Sequence, residues 1–351
     1  MTMEAALAVL GIQGVLGAYD NIRNHEFREG LPHRSSQGSE LLLHAAREGF
    51  YLVLFPTMAW LEWRGWCAWL LGAVILAEIG VTCWDFVEED RTRRLSANER
   101  VLHTVLTLNY GAFLALLLPE LVRWSAAPAG LAIVDRGIWS WLMTVYALGV
   151  LVFGLRELRS GLRMRRGARS SIPAPPHVIA LGPALSDALR RFYEGAGTRR
   201  ATGSAVVRTG GSLARLLLRS MGLGMADGPQ PLCVVFEPDG GGELWHRDFG
   251  TGRFTSRIDV GVPGAGTIVE LFGPFSFDIA LVHRSESITW TVRRARLFGL
   301  PVPAAMTPRV AAREWMEAGQ YRMSVEILLP GLGHLLSYGG TLERAAMHQA
   351  S

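Results

Sequence analysis

The chain has 351 residues, is 49% hydrophobic, holds 11 Trp and carries a formal net charge of +4, with a mean hydropathy of +0.21. It is too apolar for one soluble domain and too polar for a wholly membrane-embedded one, so two parts are expected. The positive charge gathers beside apolar segments, which argues against nucleic-acid binding despite a pI of 9.2. Cys67, Cys83 and Cys233 have no CxxC spacing, so neither a disulfide framework nor a thiolate zinc site is indicated, and a reducing cytosolic side fits them.

The first apolar run, Ala5 to Ala18, lacks a positive n-region and a small-residue cleavage site, and reads as a retained helix, short for a span. Four more follow: Leu41 to Leu61, Gly65 to Phe86, Val101 to Val122 and Ile138 to Leu155, each near the roughly 20 residues a bilayer requires. A membrane α-helical bundle of about five spans over residues 1–157 is the expected fold of this part. Arginines follow the first, third and fifth spans: Arg23, Arg28 and Arg34; Arg91, Arg93 and Arg94; Arg156, Arg159, Arg163, Arg165 and Arg166. The positive-inside rule then places the N-terminus outside and everything after the fifth span in the cytosol. Trp60, Trp63, Trp66, Trp69 and Trp124 mark the outer interface.

Ionisable residues recur at the cytosolic end of successive segments. Asp20 closes the first, His44 and Glu48 open the second, Glu78, Asp85 and Glu89 lie along the end of the third, and Glu99 and His103 begin the fourth. His44 with Glu48, and Glu99 with His103, are spaced i,i+4 and project from one helix face. Glu78 and Asp85 are seven apart on theirs, and Asp20, with Gln13 seven earlier, can line the site from the first helix. Imidazole plus carboxylate from facing helices is the ligand set of di-iron and di-manganese bundle proteins, although those use Glu-x-x-His at i,i+3. The candidate metal ligands are therefore His44, Glu48, Glu78, Asp85, Glu99 and His103, with iron or another divalent metal as the expected cofactor. A structural alternative stands beside this. Ser96 to Glu99 forms a capping box, and Glu88, Glu89 and Asp90 abut Arg91, Arg93 and Arg94 as a helix-end charge cluster.

Residues 158–177, basic and then Ser/Pro-rich, read as a linker. Residues 178–351 are expected to form a β-rich α+β cytosolic domain. Ser186 caps one short amphipathic helix, and "GSLARLLLRSMGLG" makes a second. From Leu232 the period becomes two: Phe275, Phe277, Ile279 and Leu281; Ile288, Trp290 and Val292; Tyr321, Met323, Val325, Ile327 and Leu329. With glycine turns at 240–242 and 261–266, this predicts an antiparallel curled sheet or half-barrel around an apolar interior. Thr307-Pro308 is read as the start of a helical insert. Trp245, Arg247 and Phe249 share one strand face, His246 and Asp248 the other. Arg247 and Glu270, beside Arg253 and Arg257, are the candidate ligand-binding residues, the Arg247 guanidinium recognising the carboxylate or phosphate head of an apolar or amphipathic ligand; the structural alternative is an Arg at the barrel mouth paired with Glu270. No GxGxxG follows a strand, so no NAD site is expected.

The segments "LWHRDFGTGRFTSR", "VELFGPFSFDIAL" and "LPGLGHLLSYGGTL" resemble the bacterial family of domain of unknown function 4166, over roughly residues 180–343. That resemblance implies a domain often joined to a short-chain-dehydrogenase-like nucleotide domain, a partner this sequence lacks. The runs "NIRNHEFREGLPHR", "ELLLHAAREGFYLVLF" and "WDFVEEDRTRRL" resemble uncharacterised bacterial multi-span proteins, which implies a bacterial inner-membrane location and no established activity. Two functions are expected from the whole. One is a lipid-directed metal oxidoreductase with membrane lipids as its partners. The other is a non-enzymatic lipid-binding or sensing protein whose polar residues form a structural network.

Overall fold

The computed structural model describes residues 2–167, 174–195 and 197–344. Two compact units emerge: Met1–Asn21 with Ser36–Arg166, and Ile22–Ser35 with Gly167–Ser351. The division falls later than the boundary read after residue 157, and it adds residues 22–35 to the β-rich unit.

The helical unit contains α1 (Thr2–Asp20), α2 (Gly38–Trp60), α3 (Trp66–Thr92), α4 (Ala97–Ser125) and α5 (Ile138–Gly167). Helices over Met3–Glu29, Trp66–Thr92, Ala97–Ser125 and Ile138–Arg165 are long and apolar enough to cross a membrane. The 23-residue α2 carries Glu40, Arg47 and Glu48 in its first half, so its apolar stretch is shorter. Strands β1 (Leu61–Arg64) and β2 (Gly130–Ile133) pair antiparallel where α2 ends and α3 begins. The unit is held by a core that includes Leu7, Leu54, Phe55, Met58, Leu71, Phe113 and Trp124. Glycine lets α5 approach α2: a Cβ at Gly161 would lie 3.1 Å from the Gly38 carbonyl oxygen, and one at Gly154 would meet the Glu48 carboxylate at 2.9 Å. Helix α5 runs on through the first ten residues expected as linker, because Leu158–Gly167 contains no proline and its arginines favour helix. The Ser/Pro-rich stretch 168–173 lies outside the described residues.

The β-rich unit is a closed barrel, a step beyond the expected curled sheet. Its strands are β3 (Arg199–Thr209), β4 (Gly228–Asp239), β5 (Gly242–Asp248), β6 (Arg253–Val260), β7 (Thr267–Phe272), β8 (Phe275–Arg284), β9 (Ser287–Leu297), β10 (Leu300–Pro301), β11 (Arg309–Glu317), β12 (Gln320–Leu329) and β13 (Gly333–Arg344). Neighbours run in the order β9-β11-β12-β13-β3-β4-β5-β6-β7-β8, and β8 pairs back onto β9, so ten strands close and β10 hangs on β9. Closure leaves the main strands without a free edge. Helices α6 (Pro176–Leu181), α7 (Asp187–Tyr193, after Ser186) and α8 (Ser212–Ser220) complete it, and α6 and α7 place Val178, Leu181, Leu189, Phe192 and Tyr193 in the barrel core. Gly240 and Gly241 form the two-residue turn between β4 and β5, with φ of +54° and +121° that a side chain would resist. The helical turn expected after Thr307 comes instead before it, at Ala304–Met306, and Thr307-Pro308 leads directly into β11. The Pro308 ring is compatible with a strand entry, where its missing N–H removes no ladder bond.

Candidate metal centre

The polar end of the helical unit brings together residues from all five helices. The spacing that assembles it is i,i+4, used three times: Glu40 and His44 on α2, Asp85 and Glu89 on α3, Glu99 and His103 on α4. Each pair stacks on one face, so three helices meeting at one end contribute six donors. Glu40, Asp85, Glu89 and Glu99 are each 0% exposed.

Glu89 occupies the middle. Its carboxylate lies 3.6 Å from His44 Nε2 and 3.5 Å from His103 Nδ1. Beyond His44, Nε2 is 3.3 Å from Asp85 Oδ1 and Nδ1 is 4.0 Å from Glu157 Oε1. Beyond His103, Nε2 is 3.0 Å from Asp20 Oδ2. Candidate donor atoms of Glu40, His44 and Glu89 lie within 4.8 Å of one another, as do those of Asp20, Glu99 and His103.

Two arginines enter the cluster. Arg47 donates to Asp85 at 2.5 Å. Arg93, at the α3 C-terminus, donates to Glu40 at 2.9 Å and to Glu99 at 2.7 Å, and lies 3.5 Å from Glu89. The Ser96 hydroxyl accepts from the Glu99 backbone N–H at 3.2 Å, so the expected cap is present while the Glu99 carboxylate turns to Arg93.

The charges do not balance. Asp20, Glu40, Glu78, Asp85, Glu89, Glu99 and Glu157 are buried and Glu48 is half-buried. Against these eight carboxylates stand Arg47, Arg93, Arg156 and the imidazoles of His44 and His103, at most five positive charges among the buried and half-buried described residues at this end of the unit. Buried carboxylates survive only when paired, protonated or bound to a cation. Glu89 Oε2, Glu99 Oε2 and Glu157 Oε2 are buried oxygens that accept no hydrogen bond. Oxygen and imidazole donors with spare lone pairs suit iron, manganese or zinc.

The structure places the expected ligands unevenly. His44, Asp85, Glu99 and His103 lie in the cluster. Glu48 sits at its edge, accepting from Asn21 at 3.2 Å while the same amide donates to Glu157 at 3.1 Å. Glu78 accepts from Thr82 at 2.8 Å, two helical turns from Asp85. Gln13 belongs to a separate mid-bundle network, accepting from Asn109 at 2.8 Å and donating to Tyr51 at 3.3 Å. Glu40, Glu89 and Glu157 are the residues sequence reasoning passed over as ligands. Glu40 carries the same i,i+4 signal but precedes the apolar run, and Glu89, four beyond Asp85 on the lining face of its helix, abuts the charged run from Glu88 to Arg94. Helical rotation separates them: Glu89 is buried while Asp90 and Arg91 are exposed.

In the β-rich unit, Trp245, Arg247 and Phe249 are buried and His246 faces outward between Glu237 and Thr255, each at 2.9 Å. The Arg247 guanidinium stacks over Trp245 and Phe254 at 5.0 and 5.1 Å, donates to Ser256 at 2.8 Å and lies 3.7 Å from Glu270. Arg253 reaches Glu29 at 3.3 Å, and Arg257 holds Asp239, Asp259 and the His33 carbonyl. The barrel interior is packed. His177 of α6 stacks on Tyr193, Trp245 and Trp290 at 4.7, 5.0 and 4.9 Å. Tyr193 donates to Glu314 and lies 3.2 Å from the Tyr321 hydroxyl. Burial pushes the Glu314 carboxyl up to about 7. It pushes His177 down to about 3, aided by Arg199 and Arg247.

No curated protein matches the chain. Residues 185–342, from the start of α7 into β13, match the family model described as Domain of unknown function (DUF4166).

Proposed function

We propose that this is a multi-span membrane protein whose helical unit binds a divalent metal at its polar end. The observation that carries this is the surplus of buried carboxylates around two imidazoles, with Glu89 touching both. Within the helical unit, Glu40, His44 and Glu89 form one donor group, and Asp20, Glu99 and His103 form another. Glu40, His44, Glu89, Asp20, Glu99 and His103 would hold the metal, which, if redox-active, would supply electron transfer to a substrate from the bilayer; the chain's own arginines position these carboxylates, Arg93 pairing with Glu40, Glu89 and Glu99 and Arg47 with Asp85.

The topology supports a cytosolic position for this end. Residues 22–35 and 167–351 belong to one unit, which supports one side of the membrane for both; residues 22–35 carry Arg23, Arg28 and Arg34, and 167–351 follow the arginine-rich end of α5. In the β-rich unit, the aromatic side chains that fill the described interior favour a packed scaffold over an apolar-ligand cavity. Arg247 and Glu270 are accordingly assigned a structural pairing.

Elemental analysis of the detergent-purified full chain tests the proposal. One or two equivalents of transition metal are expected, lost in His103→Ala and in Glu89→Ala. Metal-free wild type after growth in metal-supplemented medium and chelator-free purification rejects it. A second reading rests on Arg93: a guanidinium shared by three carboxylates makes a self-satisfying network, which serves a non-enzymatic membrane protein equally well.

A further inference from the structure

The β9–β10 hairpin turns on Phe298 and Gly299, between the paired Leu297 and Leu300. Both turn residues have positive φ, +51° at Phe298 and +82° at Gly299. This is the geometry of a turn that favours Asn, Asp or Gly at its first central position, where an aromatic residue is strained. Strain retained at such a place points to a use. The turn is apolar and exposed: Phe298 is 36% exposed, Leu297 37% and Leu300 72%, and Met306, in the helical turn that follows β10, is 67% exposed.

Behind this tip lies a groove of about 730 Å³ whose lining includes Arg293, Arg294, Arg296 and Arg309 and no carboxylate. Arg296 is committed to Asp278, with two hydrogen bonds of 2.9 Å. Arg293, Arg294 and Arg309 form no ion pair among the described residues. An exposed apolar tip backed by uncompensated guanidinium groups is complementary to one surface above others: acyl chains overlaid by anionic headgroups.

We propose that the β9–β10 hairpin docks the β-rich unit onto an anionic lipid surface, with Phe298 and Leu300 entering the interface and Arg293, Arg294 and Arg309 holding headgroup phosphates. The proposal is independent of the metal reading, since it uses no residue of the helical unit. The test uses the full chain in proteoliposomes, with Leu300→Cys labelled by bimane in a background where Cys67 is alanine and Cys83 and Cys233 are serine. In vesicles containing 30% phosphatidylglycerol, doxyl-labelled lipid should quench the label severalfold more than in phosphatidylcholine alone. The excess should vanish in the triple variant with Arg293, Arg294 and Arg309 changed to Ser. Inorganic phosphate at 10 mM in phosphatidylcholine vesicles should leave the label unquenched, which separates a lipid surface from a free phosphate. Phe298→Asn relieves the turn, so it should keep the fold and lose most of the quenching. Equal weak quenching in both vesicle types overturns the proposal, as does full quenching in Phe298→Asn.

Discussion

Glu89 is the residue on which the helical site turns. A single carboxylate within 3.6 Å of one imidazole and 3.5 Å of another can bridge two cations or share protons between two histidines. Arg93 decides between those uses. Replacing it with Met leaves Glu40, Glu89 and Glu99 without their common guanidinium, a loss expected to cost about 3–5 kcal/mol. Added Mn²⁺ should restore part of the unfolding midpoint of the Arg93→Met protein in detergent if the carboxylates are metal ligands. An unmoved midpoint at millimolar Mn²⁺ supports the network reading instead. In the barrel, Glu314 and His177 give a second residue-level test. Glu314 is raised from 4.5 to about 7, so its contribution is fully present below pH 4.5 and is lost as pH rises through 7. His177 is lowered from 6.5 to about 3, so its contribution is present above pH 6.5 and is lost as pH falls towards 3. Between pH 4.5 and 6.5 the two slopes oppose. His177→Phe should therefore leave a barrel that loses stability as pH rises, and Glu314→Gln one that loses it as pH falls. Each slope is roughly 1.4 kcal/mol per pH unit for one proton. Thermal unfolding of each full-length variant across this window is the measurement, and parallel slopes would contradict the assignment.

At the scale of elements, the segment 22–35 belongs with the barrel through specific contacts. The Phe27 ring packs on Phe272 at 5.2 Å, His33 Nε2 meets the Gly273 carbonyl at 2.8 Å, and the Ser35 N–H donates to Asp239 at 2.8 Å. Gly273 sits beneath Phe27, where a Cβ would approach the ring to 2.6 Å, and its φ of +53° already disfavours a side chain. Gly273→Ala should destabilise the barrel by more than the roughly 1 kcal/mol of backbone strain alone. Gly264→Ala, at φ +73° with open space around the site, supplies the control for strain without the clash. If the two variants unfold at the same temperature, Phe27 does not pack there in solution. A further consequence concerns any fragment beginning near residue 174: it lacks Phe27, His33 and Ser35, and should gain stability when a peptide spanning residues 22–35 is added. The tryptophans divide in the same manner. Trp66 and Trp69 are exposed as interface residues should be, whereas Trp63 and Trp124 are buried in the helical core.

For the whole molecule, one unit assembled from two separated stretches fixes a topological relation. Cysteines placed at Arg28 and at exposed Arg294 should react with an impermeant maleimide from the same membrane side. One placed at exposed Ile133, at the β1–β2 end of the helical unit, should react from the other. Labelling of Arg28→Cys and Arg294→Cys from opposite sides would rule out residues 22–35 as part of the β-rich unit.

Much of this was legible in the residues alone. Runs of about 20 apolar residues announce spans whatever they pack against, because the bilayer's thickness is fixed. Alternation around Ile279, Trp290 and Tyr321 announces strands, since successive side chains point to opposite faces. Even the polar end of the bundle was visible, because ionisable groups in apolar segments are costly wherever they fall. What the tertiary structure decided was partnership. That β8 pairs with β9 to close the barrel, that Glu89 rather than Glu78 stands between the histidines, and that residues 22–35 pack on Phe272 all depend on which distant segments meet. Local periodicity records which face a residue occupies. The segment facing it is set by chain closure and packing across hundreds of residues, and no local pattern encodes that.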